Sequence, residues 1–161
     1  MNKTVIFLDV DGVLNYGSCK ESVTPNIIGI DSDKVKLLAD IVQAVNGIIV
    51  LTSTWQAGWE QDESECDVYA KYLNKKIAEF GLKITSKTDV YGWDRGAGII
   101  CWLENNPGYD KWIVIDDEIF PDYKKYGITA HLIKTTWYGG KDKAGLQPKH
   151  IRLAKKLVRD R

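Results

Sequence analysis

Thr4-Val5-Ile6-Phe7-Leu8-Asp9-Val10-Asp11-Gly12 runs from a hydrophobic stretch of strand length straight into a turn that carries two carboxylates. Further strand-length runs follow at Ile48–Leu51, Lys83–Thr85, Trp112–Ile115 and Ala130–Ile133. Three of the five runs are continuously hydrophobic, as strands covered on both faces are. Between them lie stretches of helical period. Ser32, as N-cap, opens one that continues through Val35, Leu38, Ala39, Val42 and Val45 and stops at Asn46-Gly47. Cys66, Tyr69, Leu73, Ile77 and Phe80 mark a second, which ends at Gly81; a third runs from Arg95 to Glu104, and a fourth from Pro148 to Val158. Strands alternating with helices predict an α/β fold with a mainly parallel sheet and crossover helices. No repeat, low-complexity tract or linker divides the 161 residues, so one domain over 1–161 is the simplest partition.

A chain of 161 residues with 44% hydrophobic and 27% charged residues buries roughly 70% of its unfolded surface, enough to fold without disulfides or a structural metal. Cys19, Cys66 and Cys101 are odd in number and never in a Cys-x-x-Cys pair, which argues against a zinc site and for a reducing compartment. Asp9 and Asp11 cut the first apolar run short of a signal peptide, and no stretch reaches about 18 uninterrupted apolar residues. The expectation is a cytoplasmic protein with no membrane partner, in which the sequon Asn2-Lys3-Thr4 is incidental. The net charge of zero hides an uneven distribution. From Lys141 to Arg161 eight basic residues face two acidic ones, a balance of +6 that leaves −6 for the first 140 positions. Lys149, Arg152, Lys156 and Arg159 stand at helical spacing, either as a solvated helix face or as a track for a polyanion.

The carboxylates carry the chemistry. Asp9 and Asp11 sit at the carboxyl end of the first strand, the edge at which open α/β sheets bind ligands. Asp116-Asp117 follows the strand Trp112–Ile115. If those strands are neighbours, four carboxylates converge, and a hard divalent cation is the usual remedy for their repulsion. The strand Ile48–Leu51 ends in Thr52-Ser53-Thr54, whose hydroxyls and amides suit phosphate oxygens. Two glycine-rich stretches are weaker signals. Gly96-Ala97-Gly98 has Cys101 where a dinucleotide loop needs its third glycine, and Gly139-Gly140-Lys141 is followed by Asp142 rather than Ser or Thr. His131 and His150 lie beside neither carboxylate turn and read as structural or surface residues.

Together these segments resemble the haloacid dehalogenase (HAD) superfamily of phosphatases and phosphotransferases. Its first motif is similar to Asp9-Val10-Asp11-Gly12-Val13, its second to a strand followed by Thr52, and its fourth to Asp116-Asp117. Phe7 to Asn15, Leu51 to Trp55, Trp102-Leu103 before Trp112 to Asp117, and Gly145-Leu146 look more narrowly like the small HAD domains associated with RNA-repair proteins. The resemblance implies a three-layer α/β/α Rossmann-like core. It implies Asp9 as the nucleophile that forms an aspartyl-phosphate and Asp11 as the acid and base. Mg²⁺ would be held by Asp9, the Asp11 main chain, Asp117 and Asp116. Gly12, Thr52 and Ser53 would contact phosphate. Arg95 is the first choice for the cation bridging phosphate and nucleophile, with Lys87 the alternative. Gln56 stands where relatives often carry Arg, which puts a further phosphate contact there in doubt.

The gaps Asn15 to Gly47 and Trp55 to Tyr91 hold little beyond one helix each, so no full cap domain fits. An open site suits a phosphorylated nucleic-acid end. Nucleotides stay in play because the loop Tyr16–Gly29 and the segment Trp55–Cys66 could fold over the site, while sugar phosphates and protein phosphate are further alternatives. Trp55, Trp59 and Trp93 either stack on a base of the substrate or pack into the rim and core. The reading from a different class is a non-catalytic HAD-like module that binds phosphate or nucleic acid. A response-regulator receiver, suggested by the strand and acids Trp112–Asp117 alone, fails because too little chain follows.

Overall fold

The computed structural model describes residues 3–89 and 93–160. Asn2 of the sequon, Tyr91 at the end of the second gap and Arg161 of the basic tail lie outside the described residues. Seven strands are present: β1 Thr4–Leu8, β2 Ser22–Thr24, β3 Ile27–Ile28, β4 Gly47–Leu51, β5 Ile84–Lys87, β6 Trp112–Asp116 and β7 Leu132–Lys134. The helices are α1 Ser32–Val45, α2 Val68–Ala78, α3 Arg95–Asn105 and α4 Pro148–Arg159. Five strands form one sheet in the order β5-β4-β1-β6-β7, and every pairing in it is parallel. Strands β2 and β3 pair antiparallel as a separate small hairpin.

All five residues of β1 are buried, because β1 is the central strand and is covered on both faces. Its side chains alternate between two cores. Ile6 and Leu8 join Ile49, Leu51, Ile113 and Ile115 beneath the apolar faces of α1, α2 and α4. Val5 and Phe7 join Val50, Val114, Ile99 and Trp102 on the face covered by α3. This is the expected three-layer α/β/α arrangement with a parallel sheet, and among the described residues no full cap domain is inserted into it. Among the described residues no helix is long and apolar enough to cross a membrane.

Element boundaries moved where a neighbouring residue makes the better cap. Asp31, not Ser32, caps α1: its carboxylate accepts from the Asp33 amide and from the Tyr16 hydroxyl, each at 2.9 Å. Asn46 ends that helix in the left-handed region, as the Asn-Gly pair predicts. Asp67 caps α2, so Cys66 lies outside it, at the end of a short 3-10 turn, Glu63–Glu65. The segment read as a strand from Ala130 begins instead as a 3-10 turn, Ile128–His131, launched from left-handed Gly127, and only Leu132–Lys134 joins the sheet. His131 stacks on Trp112 at 3.5 Å, while His150 is buried and its Nδ1 accepts from the Gln147 amide. Both histidines are structural.

Phe7 lies edge-on to Trp102 and Trp112, with ring centroids 5.6 and 6.1 Å away. Phe7→Ala is expected to lower the unfolding free energy by about 3–5 kcal/mol, as read from urea denaturation.

Candidate active site

Strand order reverses between β1 and β6. The chain leaves β1 for β4 on one side and returns later to β6 on the other. At the carboxyl end of that pair the Asp9 amide donates to the Ile115 carbonyl at 3.0 Å, which sets Asp9 beside Asp116 and Asp117. Carboxylate oxygens of these three residues lie within 4.8 Å of one another. Asp9 and Asp116 are buried and Asp117 is half-buried.

Each carboxylate is held differently. Asp116 accepts from the Glu118 amide at 3.0 Å, the Tyr123 hydroxyl at 2.9 Å and Arg95 at 3.1 Å. The same Arg95 Nη1 lies 3.3 Å from Asp9 Oδ1, and the guanidinium lies over the Phe120 ring. Burial and the Asp116 charge push the Asp9 carboxyl well above the usual carboxylate range, against the pull of Arg95. Burial and Asp116 raise Asp117 to about 6. Burial works against the Arg95 charge, but Asp9 and Asp116 outweigh it and hold the guanidinium above its ordinary value. Among the described residues one half-buried cation, Arg95, pairs with two of the three carboxylates, so the cluster is short of positive charge.

Asp11 stands apart from that cluster. Its Oδ1 accepts from Asn15 Nδ2 at 2.9 Å and its Oδ2 from the Trp55 indole N–H at 3.1 Å. The Asn15 side chain also accepts from the Gly12 amide, closing the turn, while Thr135 Oγ1 donates to the Gly12 carbonyl at 2.5 Å. Gly12 has φ +78°, and a Cβ there would lie 2.2 Å from Asp117 Oδ2. Only glycine admits both this backbone and Asp117. With its hard oxygen donors and this clearance, the cluster fits a small divalent cation.

Arg95 opens α3, where Asp94 makes no side-chain cap. Asp122 caps the helix from across the site, accepting from the Gly96 and Ala97 amides at 3.0 and 2.8 Å. A Cβ on Gly96 would meet Asp122 Oδ1 at 2.7 Å, so the glycine that superficially suggested a nucleotide loop is there for close approach. Lys87, the alternative cation, is directed elsewhere. It donates to the carbonyls of Gln56 and Trp59 and pairs with Glu60 at 3.2 Å, tying down the 3-10 turn Thr54–Gly58.

Thr52 and Ser53, expected to offer hydroxyls to phosphate, are buried and use them within the protein. The Thr52 hydroxyl accepts from Thr88 at 3.2 Å, and Ser53 caps the 3-10 turn in a reciprocal arrangement with Gln56. Gln56 also donates to the Thr88 carbonyl, which explains an amide where a cation was expected. A cleft of about 1050 Å³ opens above the carboxylates; Asp9, Asp11, Arg95, Asp116 and Asp117 line it, whereas Thr52, Ser53 and Gly12 do not. Asn15, Tyr123, Asp122 and Thr135 were not read as site residues from the sequence. Asn15 stood within the first motif, but nothing in the periodicity marks the other three.

A family model described as the HAD domain in Swiss Army Knife RNA repair proteins matches residues 5–150. No curated protein matches the chain.

The raised Asp117 carboxyl makes the metal-free protein sensitive to pH. Its folded value of about 6 exceeds the ordinary 3.8, so its contribution to stability is complete below 3.8 and is lost as pH rises through about 6. His150, lowered by burial to about 4, acts in the opposite sense, losing its contribution as pH falls through that value. Asp117→Asn removes the first effect and keeps the second. In EDTA, the change in melting temperature from pH 5 to pH 7 should therefore be less destabilising in this variant than in the wild type.

Proposed function

Because the chain belongs to the family of HAD domains in Swiss Army Knife RNA repair proteins, we propose that it is a Mg²⁺-dependent phosphomonoester hydrolase acting through Asp9 on phosphorylated nucleotides or nucleic-acid ends. The observation that carries this reading is the division of labour among the acids. Asp9 lies against Arg95 and the Asp116–Asp117 pair, while Asp11 is held apart by two neutral donors.

Asp9 Oδ attacks phosphorus, the bond from phosphorus to the ester oxygen breaks, and Asp11 gives its proton to the departing oxygen. Asp11, now a carboxylate, takes a proton from water as that water attacks the aspartyl-phosphate, which releases inorganic phosphate and restores Asp9. Arg95 bridges the nucleophile and the phosphoryl oxygens, and its clamp on Asp116 fixes its position. Mg²⁺, held by the Asp9, Asp116 and Asp117 carboxylates with the Asp11 main-chain carbonyl, would supply the positive charge that lets a phosphate dianion approach a carboxylate. An acid at position 11 suits an alkoxide leaving group, which departs poorly without a proton.

Two outcomes test the reading. Asp9→Asn should lower turnover of a phosphate monoester by at least about a thousandfold, and excess EDTA should abolish it reversibly. Equal turnover in wild type and variant would overturn Asp9 as the nucleophile, and none in either would favour a non-catalytic binding module. The second concerns Trp55, whose indole positions Asp11 from a turn packed against Tyr69 and Tyr72. Trp55→Phe should reduce kcat about tenfold for an alkyl phosphate, roughly 1.4 kcal/mol, with KM little changed. The loss should be much smaller for p-nitrophenyl phosphate, whose leaving group needs no proton.

A further inference from the structure

The cleft above the carboxylates has an uneven chemistry. Beyond the reacting group its charged side chains are Asp67, Glu118 and Lys134, a balance of one negative charge. The rest of the lining mixes uncharged polar side chains, Asn26, Thr54 and Thr136, with apolar and aromatic ones. Trp93 and Tyr138 line the cleft and are 76% and 78% exposed, and Ile27, at the tip of the β2–β3 hairpin, is 38% exposed. These are three of the five large hydrophobic residues left exposed among the described residues. Their gathering at one cleft is therefore not a scatter of surface side chains. Trp55 and Trp59, the other two candidate stacking residues, are buried and hydrogen-bonded to Asp11 and Asn74; Trp55 lines the cleft beside Asp11, whereas Trp59 does not reach it.

The rim is held in place from several directions. The Trp137 carbonyl accepts from the Gly17 amide at 3.0 Å, which ties the Trp137–Tyr138 loop to the segment leading into the hairpin. The Ile30 amide donates to the Tyr72 hydroxyl at 3.0 Å, which fixes the hairpin's base. The basic stripe on α4 contributes no residue to the cleft.

We infer that the cleft selects a phosphomonoester bearing one nucleobase, with the base on the Trp93–Tyr138 wall and a single phosphoryl group at Asp9, and that it does not track a polyanionic backbone. A base is flat, uncharged and polarisable, and it stacks on aromatic side chains of this kind. A second and third phosphate would meet Asp67 and Glu118 with only Lys134 to compensate. The inference rests on the phosphatase reading and narrows its substrate. Free mononucleotides and the terminal nucleotide of an oligonucleotide share this chemistry.

The test compares kcat/KM for adenosine 3′- and 5′-monophosphate, for hexanucleotides phosphorylated at either end, and for glycerol phosphate. The better nucleotide-bearing substrate should exceed glycerol phosphate by more than about tenfold, and in the Trp93→Ala/Tyr138→Ala double variant that ratio should fall towards one. Whichever of mononucleotide and oligonucleotide leads identifies the source. Between 50 and 200 mM salt the hexanucleotide value should fall by less than about tenfold, as one or two phosphate contacts require. A ratio near one in the wild type, a ratio unchanged in the double variant, or a salt-dependent fall of about tenfold or more would each overturn the inference. If no ester is hydrolysed, the phosphatase reading fails by itself. Binding of adenosine monophosphates to Asp9→Asn, followed by tryptophan fluorescence, then decides the inference: the signal should be lost with Trp93→Ala added, and its persistence would overturn it.

Discussion

Holding three carboxylates, two of them buried, within 4.8 Å of one another is the constraint on which this structure turns. Charged groups out of water repel strongly, and the protein supplies one cation, Arg95, to offset them. The shortfall leaves Asp9 and Asp117 with raised proton affinities and leaves room for a divalent ion. Much of the surrounding architecture maintains that imbalance. Asp122 anchors the helix that carries Arg95, Tyr123 and Glu118 satisfy Asp116, and the missing side chain at Gly12 gives Asp117 its place.

The second acid of the first motif is treated in the opposite way. Asp11 is surrounded by donors without formal charge, Asn15 from its own turn and Trp55 from the 3-10 turn after β4. One turn of chain therefore presents two carboxyl groups in unlike surroundings, as the proposed roles of nucleophile and proton carrier require. The two roles are separated by second-layer residues whose chain positions lie far apart.

The sequence was most legible where hydrophobic period and chemistry coincide. Thr4–Leu8 and its acidic turn fixed the central strand, and the runs at Ile48 and Trp112 supplied its two neighbours within a residue at each end. Neighbouring caps were harder to separate, because Asp31 and Ser32 can both accept an amide proton; only the fold shows Tyr16 reaching Asp31 and Lys76 reaching Ser32. The β2–β3 hairpin was invisible because strands of three and two residues are too short to show a period. Arg95 was the first choice as cation and Lys87 the alternative, and the difference between them in the fold is where their elements point. Asp122 and Tyr123 follow the acidic pair in an irregular stretch, so their part in the site appears only when the sheet brings β6 beside β1.

The hydrogen bond from Thr135 to Gly12 joins residues 123 apart in the chain. Contacts of such long range are costly to form early, since the intervening chain must first be ordered. The geometry around Asp9 and Asp11 therefore depends on a segment that is in place only when β7 is docked against β6. A chain holding β1 and β4 alone carries both motif aspartates yet lacks the segment after β7 that buttresses their turn, so the turn's geometry depends on the whole sheet.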